Sequence, residues 1–159
     1  MKTTERTIHR MRLNPEPFEM IESGRKTIEL RLLDEKRRAI RLGDMIVFTN
    51  TATGGELRTE VVGLHTFASF EELYKALPLL RCGYTTEDVK TAHYSDMNIY
   101  YPAEEQEKYG VVGIELSLRD TALEWRKRLL SQKLSSKNEH ERQSHQKGVA
   151  NEFCNSKNQ

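Results

Sequence analysis

What this 159-residue chain lacks removes several classes of protein at the outset. It has only two cysteines, Cys82 and Cys154, far apart in sequence. Neither a disulfide framework nor a paired-cysteine metal site follows from them. No run approaches the ~20 apolar residues that a membrane-spanning helix requires. The first residues, MKTTERTIHRMRL, place no apolar segment behind their charges, so no secretory leader is expected and the cytoplasm is the expected location. An excess of charge is also missing. The formal net charge is +1, so affinity for a nucleic acid would have to come from positive charge gathered locally. No two of the five histidines stand at a convincing metal-ligand spacing: His140 and His145 lie five apart in a polar stretch, and His65 and His93 are isolated. Gly54-Gly55 lacks the Lys-Ser or Lys-Thr of a phosphate-binding loop and suits a hairpin. No metal and no cofactor are expected.

What is present is a run of short elements of the length expected for one domain. Ile8, Met11 and Leu13 suggest a first strand. Asn14-Pro15-Glu16-Pro17 reads as a helix start, with Phe18 and Ile21 inward and Gly24 at the stop. Thr27 to Leu32 alternates strictly, with Ile28, Leu30 and Leu32 on one face and Thr27, Glu29 and Arg31 on the other. Asp34 to Arg41 is a charged helical turn with Ala39 and Ile40 inward. Strands follow at Met45–Thr49 and Leu57–Phe67, joined by a hairpin. Ser69 caps a helix carrying Phe70, Leu73, Leu77 and Leu80, in a Ser69–Glu72 capping-box pattern. Short helical turns are expected after Thr85 and after Pro102, the latter closed by Gly110, and a last strand at Val111–Leu116. The organisation expected is a domain over 1–118, a helix over 119–134 with Leu123, Leu130 and Leu134 on one side, and a polar, disordered tail over 135–159. Strands with short intervening helices point to a curved mixed sheet that closes partly into a barrel; the crossovers are too short for a doubly wound parallel fold.

The chemistry concentrates in Gly24-Arg25-Lys26-Thr27-Ile28-Glu29-Leu30-Arg31. A helix stop running into a strand presents side chains at a sheet mouth. Glu29 and Arg31, two apart on a strand, point the same way. A carboxylate can accept from a base amine, a guanidinium can donate to a carbonyl or phosphate oxygen, and Lys26 adds a point charge or an amine for acid–base work. Spacing alone favours the plainer reading, a solvated strand face with a weak surface ion pair.

The run Gly24, Lys26, Glu29, Arg31 resembles the G-x-K-x-x-E-x-R signature of the ASCH (activating-signal-cointegrator homology) family, of the PUA-like superfamily. Pro17-Phe18, Gly43-Asp44 and Val111-Val112-Gly113-Ile114 extend the resemblance over about 11–116. Asp34-Glu35-Lys36-Arg37, Asp96-Met97 and Tyr100-Tyr101 resemble a prokaryotic subgroup. The resemblance implies an α+β fold, a PUA-like mixed β pseudo-barrel with short flanking helices. It implies RNA binding in the groove that holds the signature. One bacterial branch of similar fold hydrolyses N4-acylated cytidine with a lysine and a threonine of the signature and a later glutamate. Lys26 matches that lysine, Glu29 stands where the threonine would, and Asp96 is the best candidate for the later carboxylate, with Glu87 behind it. Some relatives are described as ribonucleases.

Lys36-Arg37-Arg38 and Arg41 form the densest basic cluster, which His9, Arg10 and Arg12 could extend into a phosphate-tracking stripe; Asp34 and Glu35 would neutralise part of it. Tyr84, Tyr94, Tyr100 and Tyr101 could stack on unstacked bases or simply fill a barrel end. Three functions are therefore compatible with these residues. The first is a module that binds single-stranded RNA or a nucleoside through Gly24, Lys26, Thr27, Glu29, Arg31, Arg37, Arg38, Tyr100 and Tyr101. The second is a hydrolase using Lys26, Glu29 and Asp96. The third is a scaffold that docks a protein partner through the C-terminal helix.

Overall fold

The structure is a computed structural model, and it describes residues 5–118 together with 130 and 131. The chain divides into two units, 1–120 and 121–159. The stripe Leu123–Leu130–Leu134 and the tail lie outside the described residues, apart from Leu130.

Five strands, β1 (Ile8–Leu13), β2 (Ile28–Leu32), β3 (Met45–Asn50), β4 (Glu56–Phe67) and β5 (Val111–Ser117), form one sheet in the order β1-β3-β4-β5-β2. β1 runs parallel to β3, and the other pairs are antiparallel. The sheet curls into a half-barrel whose edges are β1 and β2. The Arg31 guanidinium crosses that gap, Nη2 donating to the Arg12 carbonyl at 3.0 Å. The fold is the expected α+β mixed pseudo-barrel with short flanking helices.

The helices follow the sequence signals closely. α1 (Pro15–Glu22) opens on Pro15, buries Phe18 and Ile21, and ends before Gly24, whose φ of +81° suits the left-handed stop. Asn14 precedes it but makes no side-chain cap; its amide oxygen accepts from Thr51 instead. α2 is one turn, Glu35–Arg38, capped by Asp34. Ile40 is buried after it, whereas Ala39 is exposed, because the helix ends at Arg38 and the chain turns before Ala39 can face the core. α3 (Phe70–Ala76) starts at Ser69, whose hydroxyl accepts from the Glu72 amide. The Glu72 carboxylate reaches the Ala68 amide, one residue beyond the expected box partner. Pro78 forces Leu77 into an extended conformation, so α3 stops there and Leu80 falls on an exposed 3₁₀ turn (Leu79–Cys82). Two more 3₁₀ turns, Asp88–Lys90 and Tyr94–Ile99, precede α4 (Ala103–Tyr109).

Two apolar clusters sit on opposite faces of the sheet. Inside the curl, Met11, Leu13, Ile46, Phe48, Val61, Val112 and Ile114 pack with Phe18 and Ile21 of α1. On the outer face, Ile28, Leu30 and Leu32 pack with Phe70 and Leu73 of α3, and with Cys82 and Met97. The β2 register assigns the faces. Glu29 stands opposite Ile114 and Arg31 opposite Val112, while Leu30 stands opposite Gly113. Cross-strand partners share a face, so the apolar side of β2 turns outward under α3 and its charged side turns into the curl.

Candidate ligand-binding site

The gap between β1 and β2 opens into a cavity of about 530 Å³. That is within the range of small-ligand pockets. β1 and the start of α1 form one wall, the free edge of β2 another, and the 82–101 segment the third. Of the residues expected at the site, Lys26, Glu29, Arg31, Asp96, Tyr100 and Tyr101 line it together.

Glu29 is the centre of this arrangement, and only 4% of it is exposed. Its Oε1 accepts from Arg31 Nε at 2.9 Å, and its Oε2 lies 2.8 Å from Lys26 Nζ. The Lys26 contact is short, but its angles fall outside those of a good hydrogen bond, and Oε2 has no other partner among the described residues. Burial pushes the Glu29 carboxyl up, but the charges of Lys26 and Arg31, with their close contacts to its oxygens, outweigh it, and the net shift is downward from 4.5. Glu29 is therefore an ionised clamp that fixes two cations. A solvated strand face is the wrong description of it. Both of its oxygens face cations and Oε2 is buried, so the groups left to meet a ligand are the cationic ones.

The other walls are equally specific. Tyr101 stacks on Phe70 at 6.0 Å, which holds its ring at the cavity wall. Burial pushes its hydroxyl up, an effect the Arg31 charge partly offsets. Tyr100 is exposed and free to meet a flat ligand. Asp96 takes part in the 3₁₀ turn: its Oδ2 accepts from the His93 amide at 3.0 Å and from the Tyr84 hydroxyl at 2.9 Å. Tyr84 in turn meets the Tyr74 hydroxyl at 2.5 Å. Burial pushes both tyrosines up.

Gly83 is a neighbour that the sequence does not flag. Its φ is +104°, and a Cβ there would lie 3.2 Å from Lys26 Cδ. Gly83→Ala therefore strains the backbone and crowds Lys26. We expect a loss of about 1–2 kcal/mol in urea unfolding. A variant as stable as the parent would show that this turn relaxes.

The remaining expected residues lie off the cavity wall. The Thr27 hydroxyl accepts from Arg81 Nε at 2.9 Å, and Arg81 also binds Glu115. Hydrogen bonds from Arg81 and then His65 hold the Glu115 carboxyl below its usual range. Gly24 ends α1 without reaching the cavity. Arg37 pairs with Asp34 at 2.8 Å, and Arg38 donates to the Leu33 and Tyr109 carbonyls, so half of the basic cluster serves the fold. Among the described residues, no group of three metal-ligating side chains exists. No described helix is long and apolar enough to cross a membrane. Cys82 and Met20, both on the cavity wall, were not anticipated, since an isolated Cys or Met carries no chemical signal in sequence. Burial pushes the Cys82 thiol up to about 11, which disfavours the thiolate.

A half-barrel of this order, with a charged signature on its edge strand, is consistent with the expected PUA-like pseudo-barrel. The ASCH domain family matches residues 11–119, and the chain belongs to that family. Among solved structures, it is similar to the hypothetical protein PH0355 (36% identity, TM-score 0.57, covering 70% of this chain and 98% of that one). It is also similar to protein PF0455 from Pyrococcus furiosus (32% identity, TM-score 0.58, covering 72% and 100%). A single-substitution variant of ASCH from Zymomonas mobilis shares the fold (17% identity, TM-score 0.51, covering 70% and 69%). No curated protein matches the chain.

Proposed function

We propose that this ASCH domain binds one nucleobase in the β1–β2 cavity, taken either from a nucleoside or from an unstacked position of single-stranded RNA. The observation that carries the reading is the buried Lys26–Glu29–Arg31 triad beside two tyrosine rings in a cavity sized for a small ligand. A cation pair fixed by a buried carboxylate suits the carbonyl oxygens of a base, and the rings suit its faces. The lining includes the cations Arg12, Lys26 and Arg31 and the carboxylates Glu16, Glu29, Asp88 and Asp96. That balance favours a neutral base over a polyanion tracked along the wall.

Binding of nucleosides and short RNAs, followed by mass spectrometry that also detects turnover, tests this. Tyr100 is exposed and supports no core, so Tyr100→Ala should leave the melting temperature unchanged. It should weaken binding by about 1–3 kcal/mol, as for loss of a stacking ring. Failure of every nucleoside and RNA to bind, or unaltered binding by the variant, would remove the cavity as a base site. Release of an acid from N4-acylated cytidine, or cleavage of RNA, would instead place Lys26, Glu29 and Asp96 in a hydrolase.

A further inference from the structure

The free edge of β2 carries a feature that no side chain reveals. In an antiparallel ladder, residues alternate between those that exchange both main-chain bonds with the neighbour and those that turn both groups away from it. The Thr27 carbonyl accepts from the Leu116 amide, and the Leu33 amide donates to the Gly110 carbonyl. With the register of β2 on β5, this parity gives the bonded positions to Glu29 and Arg31. Ile28, Leu30 and Leu32 therefore turn their N–H and C=O to the other side, where β2 has no neighbouring strand among the described residues. Of these three, Leu30 lines the cavity. Its side chain is committed to the outer face, since a Cβ on the opposing Gly113 would meet Leu77, Ile28 and Leu30. Leu30 is only 6% exposed, and no partner for its amide or carbonyl occurs among the described residues. A buried main-chain pair of this kind calls for a partner.

We propose that the Leu30 main chain reads the ligand. One N–H donor beside one C=O acceptor fits a six-membered ring that presents a carbonyl next to a ring N–H, the lactam or imide edge of a uracil- or guanine-type base. The ring carbonyl accepts from the Leu30 amide, and the ring N–H donates to the Leu30 carbonyl. Lys26 and Arg31 line the same cavity, and their charges favour keto oxygens over exocyclic amines. This assignment rests on the cavity being a base site, and it selects the class of base.

The test is a ¹⁵N–¹H titration of the full chain with uridine 5′-monophosphate and, separately, with its N3-methyl derivative. Methylation removes the ring N–H and blocks that edge while leaving the stacking face, sugar and phosphate intact. Uridine 5′-monophosphate should bind, shift the Leu30 amide proton downfield and slow its exchange with solvent. The N3-methyl derivative should bind at least about tenfold more weakly, as for a buried acceptor left unpaired. Equal binding of the two, or binding that leaves the Leu30 amide unmoved, would overturn this assignment and leave the cavity as a base site read in another way. Absence of binding by both would overturn this assignment, and absence of binding by every other nucleoside as well would overturn the base site itself.

Discussion

Glu29→Ala is expected to lose about 3–5 kcal/mol of folding stability, the cost of removing one partner from a buried ion pair. The Lys26 side chain is 11% exposed and the Arg31 side chain 15%, and both direct nitrogen at Glu29. Without the carboxylate, two poorly solvated cations face each other across the space it leaves. Glu29→Gln keeps an acceptor for Arg31 but lacks the charge that offsets Lys26, so it should lose less, about 1–3 kcal/mol. A double-mutant cycle separates charge from packing. Lys26→Met removes the excess cation, so adding it to Glu29→Gln should cost less than Lys26→Met costs in the parent, with a coupling of about 1 kcal/mol or more. Urea unfolding supplies all four values. A coupling near zero would mean that the three side chains form an ordinary surface pair, and the account of Glu29 as the clamp of the site would fail.

This arrangement shows where the sequence was legible and where it was not. The alternation from Thr27 to Leu32 placed Glu29 and Arg31 on one face, and the resemblance of Gly24, Lys26, Glu29 and Arg31 to a family signature named the fold. Alternation does not say which face of a strand is inside. An apolar face normally turns to the barrel core, but here Ile28, Leu30 and Leu32 turn outward because α3 and the 3₁₀ turns supply a second apolar layer there. That layer comes from residues some forty positions further on, and nothing local to β2 announces it. The same long-range assembly explains Cys82, Gly83 and Asp96. Each reaches the cavity through packing between elements and not through its own spacing. Arg37 and Arg38 show the converse. They read as a basic patch, yet their nearest hydrogen-bond acceptors, Asp34 and the Leu33 and Tyr109 carbonyls, commit them to the fold.

Asp44→Ala should cost about 3 kcal/mol, because Asp44 ties together three pieces of chain at the far end of β1. It is 7% exposed. Its carboxylate accepts from the Thr7 amide at 3.3 Å, the Arg41 amide at 2.9 Å and His9 Nε2 at 2.8 Å. Alanine leaves all three donors without that acceptor, each at a fraction of its desolvation cost. Asp44→Asn keeps one oxygen and should cost about 1–2 kcal/mol. The pH dependence identifies the charge as the cause. Burial pushes the Asp44 carboxyl up, but the hydrogen bonds from His9, Arg41 and Thr7 and the charge on His9 outweigh it, and its net shift is downward from 3.8. A carboxylate whose folded pKa is depressed adds stability above its unfolded pKa, and that contribution is lost as pH falls through the folded value. Asp44 and Glu29 both belong to this class. The parent should therefore weaken steadily as the pH falls below about 4.5, and Asp44→Asn, which has no proton to take up, should weaken less over the same interval. Urea midpoints measured in steps from pH 6 to pH 3 give both slopes. Parallel curves would show that the acid sensitivity originates elsewhere and that the Asp44 cluster holds β1 by geometry alone.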